Sequence, residues 1–198
     1  MDFFSLFFDN SILELILKYS NLKIKDEMKK KKIKLEFIDL KELQAFLGLL
    51  LISGALKKQG TNLKDLWTMN SLYSQKIYSI GLSRNRFVFI LRYIRFDNIY
   101  TREKRKKKSK SAPIDELLKL FSIRFRKFYS PSDSLVIDEQ MAGYRGRCPF
   151  KTYIKSKPEK YGIKIWCLCD SKTFYAYNFQ MYTGKKEKRE VGQGFLFF

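Results

Sequence analysis

Apolar residues recur with helical spacing over the first two thirds of the chain and with strand spacing over the last third. In "DLKELQAFLGLLLISGAL", Leu43, Phe46, Leu47, Leu50 and Leu51 share a helical face before Gly54, and Asp39 with Glu42 has the form of a capping box. The spacing predicts a helix over about 40–53. "SRNRFVFILRYIRF" repeats the pattern, with Ser83 as N-cap and Phe87, Ile90, Leu91 and Ile94 on one face. Arg84, Arg86, Arg92 and Arg95 line much of the remainder. Between these stretches, "TNLKDLWTMNSLYS" predicts one or two short helical turns. A third amphipathic helix lies in "APIDELLKLFSIRFRKFYSP", with Leu117, Leu118, Phe121 and Phe125 inward and Pro131 as its stop.

After Pro131 the period changes from helix to strand. "SLVID" is a short apolar strand. "YGIKIWCLCD" alternates Ile163, Ile165, Cys167 and Cys169 against Lys164, Trp166 and Leu168. "FYAYNFQMYTG" follows a four-residue turn, Asp170 to Thr173, so the last two strands form a hairpin in an antiparallel meander. The fold class is therefore α+β. Two lysine-rich runs, "MKKKKIK" (28–34) and "REKRKKKSKS" (102–111), have too little apolar content to pack and are expected as mobile loops, the second resembling a nuclear localisation patch.

Charge narrows the partner. Forty Lys and Arg against 20 Asp and Glu give a formal +20, which points to a polyanion: nucleic acid first, an anionic membrane surface second. The longest apolar stretch, 45–56, is short of the ~18 residues of a membrane span, and "MDFFSLFFDN" lacks the basic region of a secretory signal, so a soluble intracellular protein is expected. With three cysteines and no histidine, neither a disulfide framework, nor a His-based catalytic triad, nor a His-containing zinc site can be built within the chain. Any chemistry falls to carboxylates.

Two carboxylates stand out in "LVIDEQMAGYRGRCPF". Adjacent strand residues point to opposite faces, so Asp138 and Glu139 share a face only if the strand ends or bulges between them. Asp138 has the parity of Val136, and at a strand end it could either ligate a metal or be neutralised by Arg145 or Arg147. The following "GYRGRCPFKTYIKSKPEKYG" interleaves Arg145, Arg147, Lys151, Lys155, Lys157, Lys160 and Lys164 with Tyr144, Phe150, Tyr153 and Tyr161. Cations neutralise phosphates while aromatic faces stack on exposed bases, so this loop has the composition of a nucleic-acid contact. Scattered lysines on a strongly basic protein are the plainer alternative. Cys167 and Cys169 share a strand face but lack a partner pair, and are expected as buried thiols.

These motifs resemble the transposase domain of the piggyBac family. "VIDEQMAGYRGRCPF", "YIKSKPEKYGIKIWCLCDS" and "YNFQMYTGK" carry the resemblance, and "ELQAFLGLLLISGALK", "NLKDLW", "LSRNRFVFILRYIRFDN" and "SAPIDELLKLF" match its helical lead-in in the same order, over about 36–192. The resemblance implies an RNase H-like core whose first strand carries the first of three metal-binding aspartates, here Asp138. It also implies cut-and-paste transposition at TTAA targets, with Mg²⁺ or Mn²⁺ activating a nucleophile for phosphoryl transfer. Arg145, Arg147, Lys151, Lys155, Lys157 and Lys160 become the DNA-binding residues, Glu139 helps structure the turn, and the implied setting is nuclear, on DNA, with a homodimer as a further partner and no zinc.

The chain departs from that pattern in its carboxylates. The family's second and third aspartates lie downstream of the hairpin, whereas here only Glu187 and Glu190 follow, in a lysine-rich loop before "GQGFLFF". The expectation is a basic N-terminal segment (1–35), a helical lead-in (36–130) and an incomplete catalytic core (131–198) holding its first three strands. DNA binding is then retained and cleavage lost. The alternatives are a domesticated, non-catalytic DNA-binding or regulatory protein and an unstable fragment.

Overall fold

The computed structural model describes residues 3–58, 60–68 and 75–184. The turn expected within 69–74, Glu187, Glu190 and the ending "GQGFLFF" lie outside the described residues. The chain divides into two compact units, Phe8–Tyr100 and Met1–Phe7 with Thr101–Phe198.

Phe8–Tyr100 is helical. Helix α2 (Asn10–Lys31) begins at Asp9, whose carboxylate accepts the Ile12 amide, and buries Ile12, Leu13, Ile16 and Ile24. The lysine run expected as a loop from residue 28 is instead helical through Lys31. Two of its cations sit one turn beyond acids: Lys30 pairs with Asp26 at 2.9 Å and Lys31 with Glu27 at 2.8 Å, while Lys23, one turn before, pairs with Glu27 at 3.0 Å. These pairs hold both carboxyls below their usual range and hold Lys30 and Lys31 above theirs. Lys32, in the left-handed region, ends the helix.

Helix α3 (Leu40–Ala55) has the expected capping box: the Glu42 amide donates to Asp39 at 2.8 Å and the Asp39 amide to Glu42 at 3.2 Å. Two short helices follow, α4 (Leu63–Trp67) and α5 (Lys76–Gly81), and then α6 (Arg84–Tyr93) starts at Ser83 as expected. Its buried face is Phe87, Ile90 and Tyr93; Leu91, expected inward, is exposed. The aromatic rings decide this, because Phe87 packs on Phe46 and Trp67 at 4.9 and 5.0 Å, and Trp67 on Tyr78 at 5.1 Å. Trp67 donates its indole N–H to the Leu82 carbonyl, so the polar edge of the largest ring is satisfied inside the cluster. Arg86 closes a bidentate pair on Glu42 at 2.6 and 2.7 Å and donates to the Phe37 carbonyl at 2.6 Å.

The other unit holds α1 (Phe3–Phe7), α7 (Arg102–Lys106), α8 (Asp115–Lys127) and a sheet of β1 (Leu135–Gly143), β2 (Thr152–Tyr153), β3 (Tyr161–Asp170) and β4 (Ala176–Met181). The run 102–111, expected as a loop, begins with α7, because Arg105 donates to the Ala112 carbonyl at 2.5 Å and to the Thr101 hydroxyl at 3.2 Å. Helix α8 packs on β4 through Phe125, whose ring edge meets Phe179 at 5.4 Å and Phe7 at 5.4 Å.

All strand pairs are antiparallel around β3, with β1 along one edge and β2 and β4 along the other. The three expected strands are present; the two-residue β2 has no sequence signal of its own. Strand β1 also outruns the expected end, pairing from Leu135↔Asp170 to Gly143↔Gly162. At Gly162 the strands lie so close that a Cβ would run into the Ala142 carbonyl, so glycine holds this end of the ladder.

The turn after β3 is built on Asp170, a fully buried carboxylate. It accepts from the backbone N–H groups of Ser132 and Lys172 at 2.6 and 2.8 Å and from the Tyr129 hydroxyl at 2.9 Å. The Ser132 amide above all, against the opposing cost of burial, holds this carboxyl well below the usual range.

Candidate functional site

Asp138 sits in the middle of β1, opposite Cys167, and Glu139 opposite Trp166. The strand neither ends nor bulges between them, which corrects two expectations: Asp138 is not a strand-end acid, and Glu139 does not belong to a turn. Burial along β1 alternates, with Val136, Asp138 and Gln140 exposed and Leu135, Ile137, Glu139 and Met141 half-buried, so the two acids face opposite sides. "MAG" carries no β-branched residue and so gave no sign of the extension.

The two carboxylates differ sharply in company. Glu139 forms an ion pair with Lys164, whose ammonium lies 4.2 Å from the centre of the Trp166 ring. Lys157 donates to the Glu139 carbonyl oxygen at 3.2 Å, with its amine 3.9 Å from the carboxylate. Asp138 accepts only the Glu139 amide, at 2.7 Å, and makes no ion pair among the described residues. Neither Arg145 nor Arg147 neutralises it. On its face lie Cys167 and Cys169; burial first, then Cys169 and the Asp138 charge, pushes the Cys167 thiol up to about 11, and Cys169 is raised for similar reasons.

Residues 144–160 form the connection from β1 to β3. The Tyr144 amide donates to Tyr161 at 3.1 Å, β2 pairs with the start of β3, and the Ile154 amide donates to Lys160 at 2.9 Å. Phe150 is buried, anchoring the loop from within. The six expected DNA-binding cations divide here. Lys157 is tied to Glu139, and Lys151 reaches the Gly146 carbonyl at 3.3 Å. Arg145, Arg147, Lys155 and Lys160 are exposed, and their side chains make no hydrogen bond or ion pair among the described residues. The rings of Tyr153 and Tyr161, both more than half exposed, lie 4.8 Å apart on directly opposed positions of β2 and β3.

The chain matches, over residues 1–194, the family described as Transposase IS4. Its backbone also superposes on a chain of the piggyBac transposase synaptic complex with hairpin DNA, with a TM-score of 0.85 and 34% identity over 95% of this chain. The chain belongs to the piggyBac transposase family. It is 28% identical to the human PiggyBac transposable element-derived protein 3 and to the human Chimeric ERCC6-PGBD3 protein, each over 96% of its own length. It spans 30% and 17% of those two proteins and 39% of the solved chain.

The divalent cation implied by the resemblance would have, on β1, only the exposed Asp138 on the Cys167 face to hold it. No group of three or more potential metal ligands gathers among the described residues. One carboxylate does not hold a pair of ions, so the described residues do not fit such a site on their own. No described helix is long and apolar enough to cross a membrane.

Proposed function

We propose that this chain supplies the DNA-contacting face and the first metal-binding aspartate of a piggyBac-type transposase core of RNase H-like architecture. What supports the reading is the pairing, on one sheet, of a bare exposed carboxylate with an ordered basic loop in which four cationic side chains have no partner among the described residues. Arg145, Arg147, Lys155 and Lys160 contact phosphates, and Asp138 awaits carboxylates and a metal ion from outside the described residues. The partner is DNA, with TTAA as target sequence and a second copy of the chain as the assembly partner, and the basic run at 102–111 directs the protein to the nucleus.

A second reading, a DNA-binding or regulatory protein without cleavage, is favoured by the absence of a metal cluster among the described residues. One experiment tests both. Fluorescence anisotropy with a TTAA-flanked duplex at 50–200 mM salt should show binding that weakens steeply as salt rises. The same chain with Mg²⁺ or Mn²⁺ should leave the duplex uncut. A flat salt response removes the DNA reading. Cleavage that Asp138→Ala abolishes removes the binding-only reading.

A further inference from the structure

One basic run of this chain leads straight into a hydroxyl. Lys104, Arg105, Lys106, Lys107 and Lys108 precede Ser109, and no other serine or threonine of the sequence follows five consecutive cations. Helix α7 covers the start of the run and ends at Lys106, and Ser109 lies in the turns that lead on to α8. Arg105 is taken up by the fold through the Ala112 carbonyl and the Thr101 hydroxyl, and Lys106 pairs with Glu103 at 2.9 Å. Lys104, Lys107 and Lys108 are exposed, and their side chains make no hydrogen bond or ion pair among the described residues.

Two hydroxyls stand at the end of the run, and the structure separates them. Ser109 and Ser111 share a hydrogen bond at 3.1 Å. Ser111 is 7% exposed, and its carbonyl accepts the Ile114 and Asp115 amides, so it is held at the entry to α8. Ser109 is half-buried, and its hydroxyl has no other partner among the described residues. Helix α7 buries none of its five residues, so little packing opposes its opening. Ser109 can be drawn into an enzyme's cleft while Ser111 stays with α8.

We infer that Ser109 is a phosphoacceptor site for a serine/threonine kinase that reads cations on the N-terminal side of its target. Lys104, Lys107 and Lys108 supply the charge that the acidic substrate groove of such an enzyme takes up. In the transfer, the Ser109 Oγ attacks the γ-phosphorus of ATP; the new O–P bond forms as the bond from that phosphorus to the β–γ bridging oxygen breaks. ADP leaves with the electron pair, and the hydroxyl proton passes to a base of the kinase. The phosphoserine carries about two negative charges at neutral pH, and seven cations and one acid lie within 102–110, so the phosphate offsets about a third of the net charge of the run. The strength of this cation cluster can thereby be set after folding. The inference uses none of the residues proposed for the loop 144–160 and does not depend on DNA binding.

The test is incubation of the folded 198-residue chain with Mg²⁺–ATP and protein kinase C, a kinase of this class, with the phosphate located by mass spectrometry. Phosphate is expected on Ser109; incorporation into the segment 102–113 should fall about tenfold or more in Ser109→Ala and persist in Ser111→Ala. Lys107→Gln with Lys108→Gln, which leaves the acceptor in place, should slow the modification of Ser109 about tenfold. Circular dichroism confirms that each variant is folded. Phosphate on Ser111 instead of Ser109, undiminished incorporation into this segment in Ser109→Ala, or a parent chain left unmodified at Ser109 overturns the inference. An unchanged rate in the Lys107, Lys108 variant overturns the assignment to a cation-directed kinase.

Discussion

Four cations of the helical unit and four of the loop 144–160 use the same kind of charge in opposite ways. Within Phe8–Tyr100, the cations Lys23, Lys30, Lys31 and Arg86 are matched to Asp26, Glu27 and Glu42, so charge there holds helices in place. In the loop, Arg145, Arg147, Lys155 and Lys160 have no such partner among the described residues, although the backbone beneath them is ordered. A formal +20 is thus a poor guide to where a polyanion binds. The useful quantity is the charge left over after the fold has satisfied itself. The neighbours Asp138 and Glu139 show the same division at the scale of two residues: one is bracketed by Lys157 and Lys164, the other is bare.

Substitutions of matched and unmatched charges should separate cleanly on stability. Glu42→Ala is expected to have the largest effect, a loss of about 2 kcal/mol, since it strands the Arg86 guanidinium and removes half the capping box together. Urea unfolding followed by circular dichroism reads it, and an unchanged midpoint would mean that the pair is ornamental. Asp170→Asn should have an effect of the same order at neutral pH, since either amide orientation turns an NH2 towards a backbone N–H, and should also change the pH dependence. Because the folded carboxyl stays ionised to lower pH than the unfolded one, its contribution is complete above the ordinary value of 3.8 and is lost as pH falls below it. The variant should accordingly show a shallower decline on the acid side of a stability–pH curve. At the bottom, Arg145→Gln with Arg147→Gln should leave the unfolding midpoint within about 0.5 kcal/mol of the parent while weakening DNA binding. A large loss of stability there would place these arginines with the structural charges and dissolve the contrast.

Local signals were legible in the sequence, and partnerships across long separations were not. The capping box at Asp39 and Glu42, the Ser83 cap and the β3–β4 alternation all rest on residues within one turn or one strand, and all appear in the structure. The helical course of Lys30 and Lys31 depends on acids four residues back, a pairing hidden by counting only lysines. Arg86 finds Glu42 across 44 positions, and no periodicity marks it out from Arg84 or Arg92. That Asp138 shares a face with Val136 followed from parity alone. Its place in mid-strand did not, because the extension of β1 is set by β3 opposite, through Gly162. The cage around Glu139 had a faint signal: Lys164 and Trp166 share parity, and both lie on the Glu139 face once the register is known.

The bond from Lys157 to Glu139 has one more consequence. It fastens the far limb of the 144–160 connection to the strand from which that connection departs, so the segment is closed at both ends and once across its middle. A binding surface held in this way gives up little further conformational freedom when its partner arrives, and the ordering that weakens flexible contact loops has already occurred during folding. Lys157, bonded to the main-chain carbonyl of Glu139, is therefore the cation that preorganises the proposed surface.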